Sequence, residues 1–460
     1  MSDERVGEVE PLRGANLSKT LYHLSMRSWL VLSAALVLAP ACRKKEAQPG
    51  GVARLTDERP GSQTLAHPKP APPEPLPGKP LVRCFPTDAS GAPPRRLAAV
   101  LDRAATLYDQ EDFAASLVCA EEAARIDPRS VEAHHDRAAA LEELDRLDEA
   151  ALAFTRALAL DPDDPETLAA AANLYVNRMP APSTKTGPKG ALSTLSDTDR
   201  TEIGLEYARR GTARMRRISR RGNNAKQAVD KSLVGRLALI EGQALNDLGR
   251  PREALPRLEA AELALPGDLH VRFEHGMSLF DLCRFTDAKR AFSEVLERDP
   301  KDAWAHHHLG LVLERLGDES GAARELGAAR VASPENFKPP VEITAAEFAA
   351  VVRLEAARLP AKLAADLKKV ALETADLPEL TDLTADEPPL SPTILGLFRG
   401  APLGDGPESE PRTIVLYRKN LARAVATKDE LVSEVRITLH HELGHLRGED
   451  DEALRARGLE

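Results

Sequence analysis

From residue 97 to residue 336, small and apolar side chains return in phase every 34 residues, in units covering 97–130, 131–164, 235–268, 269–302 and 303–336. A proline closes each unit, at Pro128, Pro162, Pro266, Pro300 and Pro334. The eighth place carries Ala104, Ala138, Gly242, Gly276 and Gly310, and the twentieth carries Ser116, Ala150, Ala254, Ala288 and Ala322. Small side chains there let two antiparallel helices approach closely, while Phe154, Leu258, Phe292 and Leu326 fill the space between them. Each unit thus predicts a helix pair. Between the two blocks, Pro165 to Met179 predicts a first helix, Pro180 to Ser196 a loop and Asp197 to Arg221 a helix whose pairing the pattern leaves open.

The phase stops past Asn336. Thr344 to Arg358 predicts an amphipathic helix through Phe348, Val351, Val352 and Leu354, while Val370 to Leu372 and Ile414 to Tyr417 predict strands and Asp405 to Pro411 a loop. A last helix is expected from Lys428 to about Arg447, with Leu431, Val435, Leu439, Leu443 and Leu446 facing a core. That helix carries the candidate chemistry. His441 and His445 lie one turn apart on one face, so both imidazoles can reach one ion at about 2.0–2.1 Å. Glu442, rotated round from them, is free to act as a general base on water. Gly448 can end the helix in a left-handed conformation and let the chain turn back to bring Asp451 to the ion. Three protein ligands leave a position open, as in catalytic rather than structural zinc sites.

The 34-residue units resemble the tetratricopeptide repeat family over roughly 97–336, which implies a helical array that binds a protein or peptide. The segment 341–460 resembles the minimal zincin-like metallopeptidases of bacteria, through the H-E-x-x-H-x-x-G-x-x-D spacing of His441, Glu442, His445, Gly448 and Asp451, and through Ile394 to Gly400 and Thr413 to Arg418. That resemblance implies a short mixed sheet above the active-site helix, zinc held by His441, His445 and Asp451, and catalysis by Glu442. The fold class expected is mainly α: a tetratricopeptide array followed by a small α+β zincin-like domain. In zincins a sheet edge pairs with extended substrate, and Ile414 to Tyr417 is expected to be that edge or its neighbour. Two features depart from related patterns. No methionine follows Met277, so the supporting turn of metzincins is absent. No Tyr or His follows Asp451, so a stabiliser of the developing oxyanion has to come from Tyr417, Arg418 or His440.

Ahead of the repeats, Arg27, the apolar run Trp29 to Leu38 and Ala39-Pro40-Ala41-Cys42 read as an export signal too short to span a bilayer. The run resembles a bacterial lipoprotein signal, which implies lipidation of Cys42, a membrane anchor and a cell-envelope location, at the outer membrane or facing the periplasm; Met26 is an alternative start to Met1. Residues 43–94 are proline-dense and predict an extended linker. The divisions expected are therefore 1–42 signal, 43–94 linker, 95–336 repeats with an insertion near 180–198, and 341–460 metallopeptidase-like domain. Cys119 and Cys283 read as small buried thiols, with a Cys84–Cys119 bond as the open alternative.

A net charge of −10 argues against nucleic acid as a partner. The seven arginines between Arg209 and Arg221 read first as a solvated helix face, with a dock for acidic lipid or an acidic partner as the alternative. His134-His135 and His306-His307-His308 read as ordinary surface or groove residues, because consecutive helical side chains point about 100° apart and do not converge on one ion. Two functions stay open at this point. One is a membrane-anchored zinc peptidase, hydrolysing peptide bonds with metal-activated water and recruiting substrate through its repeats. The other is an envelope scaffold that works through the repeats, its zincin domain binding metal without cleaving.

Overall fold

The computed structural model describes residues 83–84, 93–179, 195–221, 230–385, 387–404 and 411–459. The signal-like segment with Cys42, the linker up to residue 82 and the insertion 180–194 lie outside these residues. Among the described residues no helix is long and apolar enough to cross a membrane.

The repeats are antiparallel helix pairs: α1 (Pro93–Asp109) with α2 (Phe113–Ile126), and α3 (Val131–Glu143) with α4 (Leu147–Leu160). After an interruption come α7 (Lys231–Asp247) with α8 (Pro251–Ala264), α9 (Leu269–Asp281) with α10 (Phe285–Arg298), and α11 (Ala303–Arg315) with α12 (Glu319–Ala332). The first helix of a pair is started by a short polar side chain that accepts from the backbone N–H three residues on, as Ser130, Asp164 and Asp302 do. Within each pair the turn needs a left-handed residue, and the 34-residue period supplies Glu111 and Asp145 in the first block, then Gly249, Cys283 and Gly317 in the second, at φ between 57° and 79°. Phe292 and Leu258, both fully buried, pack over Gly276 and Gly242.

The pairing left open between the blocks is resolved. The helix from Pro165 runs as α5 (Pro165–Asn173), then widens into a single π turn, Leu174–Arg178. The long α6 (Asp197–Arg221) packs along it as its second helix. Several arginines of α6 are used inside the array: Arg209 lies 3.7 Å from the buried Glu241, Arg217 pairs with Asp163, and Arg210 donates to the Pro162 carbonyl.

Two readings are corrected here. Cys119 is not a free thiol: residues 83–84 return alongside α2, and Cys84 joins Cys119 in a disulfide with Cα atoms 5.3 Å apart, inside a cluster with Val100, Leu101 and Ala123. His307 and His308 are not surface residues. His307 stacks on Phe337, and His308 is wedged among Phe273, Phe292 and Trp304, with its Nδ1 3.0 Å from the Trp304 carbonyl. His308 is second-block core, and His307 is partly covered at its edge.

After the repeats, α13 (Ala345–Ala357) starts from a capping box of Thr344 and Glu347 and buries Phe348 and Val352, whereas Leu354 is half exposed. Then come α14 (Ala361–Leu367), β1 (Ala371–Ala375), α15 (Leu380–Leu383), β2 (Gly396–Arg399), β3 (Thr413–Tyr417), α16 (Arg418–Ala424), α17 (Lys428–Leu446) and α18 (Asp451–Ala456). The sheet order is β1-β3-β2, with β1 parallel and β2 antiparallel to β3, so β3 is central and neighbours the edge strand β2. Leu431, Val435, Leu439, Leu443 and Leu446 of α17 are buried against Ile414 and Leu416 of β3 and Phe348 and Val352 of α13.

The β1–β2 connection seats this unit on the array. Leu383 is fully buried in the cluster formed by α9 to α12, with Leu390 and Ile394 packed beside it. Around it the Ser391 hydroxyl donates to Asp281, Arg315 donates to the Pro378 carbonyl, and Glu314 pairs with both Arg423 and Lys419.

Candidate metal centre

The helix α17 begins on a second capping box, Thr427 with Glu430, which fixes its start and hence the rotation of every residue that follows. Four turns on, His441 and His445 share one face, with Nε2 atoms 2.9 Å apart. The helix stops at Gly448, whose φ of +82° is open to glycine at little cost. Gly448 N–H then donates to the His445 carbonyl and Glu449 N–H to the Gly444 carbonyl, the two bonds of a Schellman turn. Asp450 caps the returning α18 through Ala453 N–H. That return brings Asp451 Oδ1 to 3.5 Å from His441 Nε2 and 3.2 Å from His445 Nε2.

The second nitrogen of each ring decides what this cluster can hold. His441 Nδ1 lies 2.6 Å from the Leu459 carbonyl and His445 Nδ1 3.0 Å from the Glu449 carbonyl. A carbonyl only accepts, so each Nδ1 carries the proton and each Nε2 presents a lone pair. With both rings neutral, two lone pairs and a carboxylate oxygen converge on one point. That arrangement favours a cation at the point. Two imidazoles and one carboxylate are a donor set suited to zinc, with backbone carbonyls orienting the rings as outer partners do in metal sites. Among the described residues this is the one group of three such side chains gathered within 4.8 Å.

Glu442 sits beside the cluster, 5% exposed, under β2. Burial pushes its carboxyl up to about 8 in the metal-free protein; the Phe398 backbone N–H opposes the shift and Asp451 adds to it. Two residues that sequence reasoning missed make the room. A side chain at Gly396 of β2 would stand 2.8 Å from Glu442 Oε1 and 2.7 Å from Thr438 Cγ2, so the strand can lie over the carboxylate only as glycine. A side chain at Gly444 would overlap Leu454 of α18, so glycine lets the helix that carries Asp451 pack on α17. The second had a visible signal, a glycine inside an otherwise strong helix pattern. The first had none beyond the resemblance of its segment.

The three expected stabilisers are placed differently from the cluster. Tyr417 is fully buried, its hydroxyl without a partner in good hydrogen-bond geometry. Its ionisation is pushed up to about 12 by burial and then by Asp382, with the Arg399 guanidinium opposing. Arg418 is committed to Asp376 and the Ile343 carbonyl. His440 is half-buried, its ionisation lowered by burial and then by Arg436 and Arg457.

Family models match three parts of the chain. Residues 367–459 match the zincin-like metallopeptidases, and residues 131–164 and 273–336 match tetratricopeptide repeats. No curated protein matches. Among solved structures the chain is similar to YrrB, described as a tetratricopeptide repeat protein with an unusual peptide-binding site, at 20% identity over 47% of this chain and 93% of that one, with a TM-score of 0.34. It is also similar to pilF of Pseudomonas aeruginosa, at 14% identity over 53% of this chain and 94% of that one, with a TM-score of 0.40. PilW, a type IV pilus biogenesis factor, gives 17% identity over 52% and 94%, with the same score. The chain carries tetratricopeptide repeats and, after them, a zincin-like metallopeptidase domain.

Proposed function

We propose that this chain is an envelope-anchored zinc peptidase whose repeats recruit a polypeptide. In this reading His441, His445 and Asp451 hold the ion and Glu442 is the general base. The observation that carries it is the convergence of two Nε2 lone pairs and one carboxylate oxygen beside a buried glutamate. Zinc, when bound, supplies a Lewis acid that polarises the scissile carbonyl and acidifies water. The chain's own residues do the rest. Glu442 takes the proton from the attacking water and passes it to the leaving amine. The edge strand β2, whose Phe398 N–H is held by Glu442, has no further strand on its outer side among the described residues, so an extended substrate laid along it lies over Glu442. Lipidation at Cys42 and an envelope location complete the proposal, and the Cys84–Cys119 disulfide supports export because such bonds persist in oxidising compartments.

The test has two steps. Purified protein is expected to hold stoichiometric zinc that His445→Ala loses. A broad peptide library is then expected to be cleaved by the wild type and left intact by Glu442→Ala. Stoichiometric zinc without Glu442-dependent cleavage sinks the catalytic part.

One observation favours the scaffold reading: Tyr417 is sealed and Arg418 and His440 face other charges, so none of the three expected stabilisers stands ready as an oxyanion donor. If a deletion strain is rescued equally by wild type and Glu442→Ala, the scaffold holds. Failure of the mutant at normal protein level rejects it.

A further inference from the structure

We propose that the concave groove of the first repeats takes an extended polypeptide segment through its lysine or arginine side chains, which rests on the recruiting role just given to the repeats and names its ligand chemistry. The groove is a cavity of about 350 Å³ walled by α1, α3, α5 and α7. Its apolar floor is made by Ala139, Ala169, Leu239 and Ile240, and five acids line it: Asp109, Asp136, Glu142, Glu143 and Glu166. Two arginines also line it, but each is already matched. Arg178 lies 3.5 Å from Glu142 and also donates to that residue's carbonyl, and Arg236 lies 3.1 Å from Glu166. Three acids are left without a cation, the exposed Asp109 at the rim among them. Glu143 accepts only a long bond of 3.4 Å from the Tyr108 hydroxyl. Asp136 has no hydrogen bond or ion pair among the described residues.

Asn177, 5% exposed at the wall of the cavity, spends its amide N–H groups on Asn173 and Gln243, and its Oδ1 is sealed from solvent, so it takes no part in binding. The uncompensated groups that line the groove are carboxylates, which accept and do not donate when ionised. The occupant has to bring donors, and the uncompensated carboxylates require some of them to be cationic. An extended segment supplies them as ammonium or guanidinium groups, with small residues between them to lie on the apolar floor. Burial pushes Asp136 up to about 7, and a cation placed there would restore its ionised form.

The test uses the full chain and fluorescence anisotropy with labelled octapeptides of alternating alanine–lysine, alanine–glutamine and alanine–glutamate. The lysine peptide is expected to bind at least about tenfold more tightly than the other two, and to weaken as salt rises. The double variant Asp136→Asn, Glu143→Gln is expected to lose that advantage; it removes charge from a crowded site, so its folding is not at risk. Ala139→Leu, which fills the floor and leaves the charges alone, is expected to lose about tenfold in affinity. Glu259→Gln, in a separate cleft, should bind like wild type. Equal binding of the three peptides, full binding by the double variant, or equally tight binding of free spermidine overturns the proposal. Binding is read without cleavage. Charge-selective binding with no Glu442-dependent hydrolysis would sink the peptidase reading alone, and charge-blind binding with hydrolysis would sink this one alone.

Discussion

His308 shows what one buried titratable side chain does to a repeat core. Burial among Phe273, Phe292 and Trp304 pushes its ionisation down from 6.5 to about 4, while the Trp304 carbonyl and Glu274 pull the other way. The folded chain therefore refuses a proton that the unfolded chain accepts. Stability from this group is full above pH 6.5 and falls as pH drops toward 4, by about 3 kcal/mol at most. Denaturant titrations of wild type and His308→Phe at neutral and acid pH should show a shallower acid loss in the variant; parallel losses would refute the assignment. The sequence placed this histidine among surface or groove residues because a run of three looks polar. His306, paired with Glu325, and His307, stacked on Phe337, keep partly exposed side chains, and His308 became core through aromatic neighbours brought from α9 and α10. Spacing says which residues share a helix face. It does not say what a second helix will lay over them.

Among the elements, α17 and α18 behave as one device. The ligand spacing on α17 was legible because a helix of fixed pitch converts sequence separation into direction, and Gly448 marked its end. How the three groups meet was less legible, since it depends on α18 lying close enough for Leu454 to pass over Gly444. Gly444→Ala is a direct probe. The substitution raises helix propensity by about 1 kcal/mol yet forces α18 away. With no ligand atom altered, zinc affinity should fall about 10- to 100-fold by competition with a chromophoric chelator, while helical circular dichroism stays intact. Unchanged affinity would mean that Asp451 reaches the ion without this packing. The repeat pairs divide in the same way: their 34-residue phase was plain in the sequence. The partner of α5 was not, because the insertion 180–194 separates it from α6 and breaks the period.

On the scale of the whole molecule, the β1–β2 connection links the array to the edge of the candidate site. It runs from Leu383 in the repeat core, through Ser391 on Asp281, into β2 over Glu442. Glu314 clamps the same junction, holding Arg423 at 2.6 Å and Lys419 at 2.9 Å. Glu314→Gln should weaken the seating by about 1–3 kcal/mol, since both cations are partly solvated and lose only part of their pairing. Hydrogen exchange across 379–394 should then quicken about 5- to 150-fold, whereas Glu319→Gln, on the exposed side of Lys419, should change it little. Equal exchange in both variants would show that the apolar plug alone carries the junction. None of this contact was readable from the sequence, whose pattern marks no element between the strand expected at Val370 to Leu372 and the segment Ile394 to Gly400. The Cys84–Cys119 bond has a mechanical counterpart at the other end of the array. Tension arriving from residues ahead of Cys84 is handed to Cys119 in α2 and passes around α1. α1 lies inside the closed loop and outside that load path, so the first helix hairpin would not be peeled open from its free end.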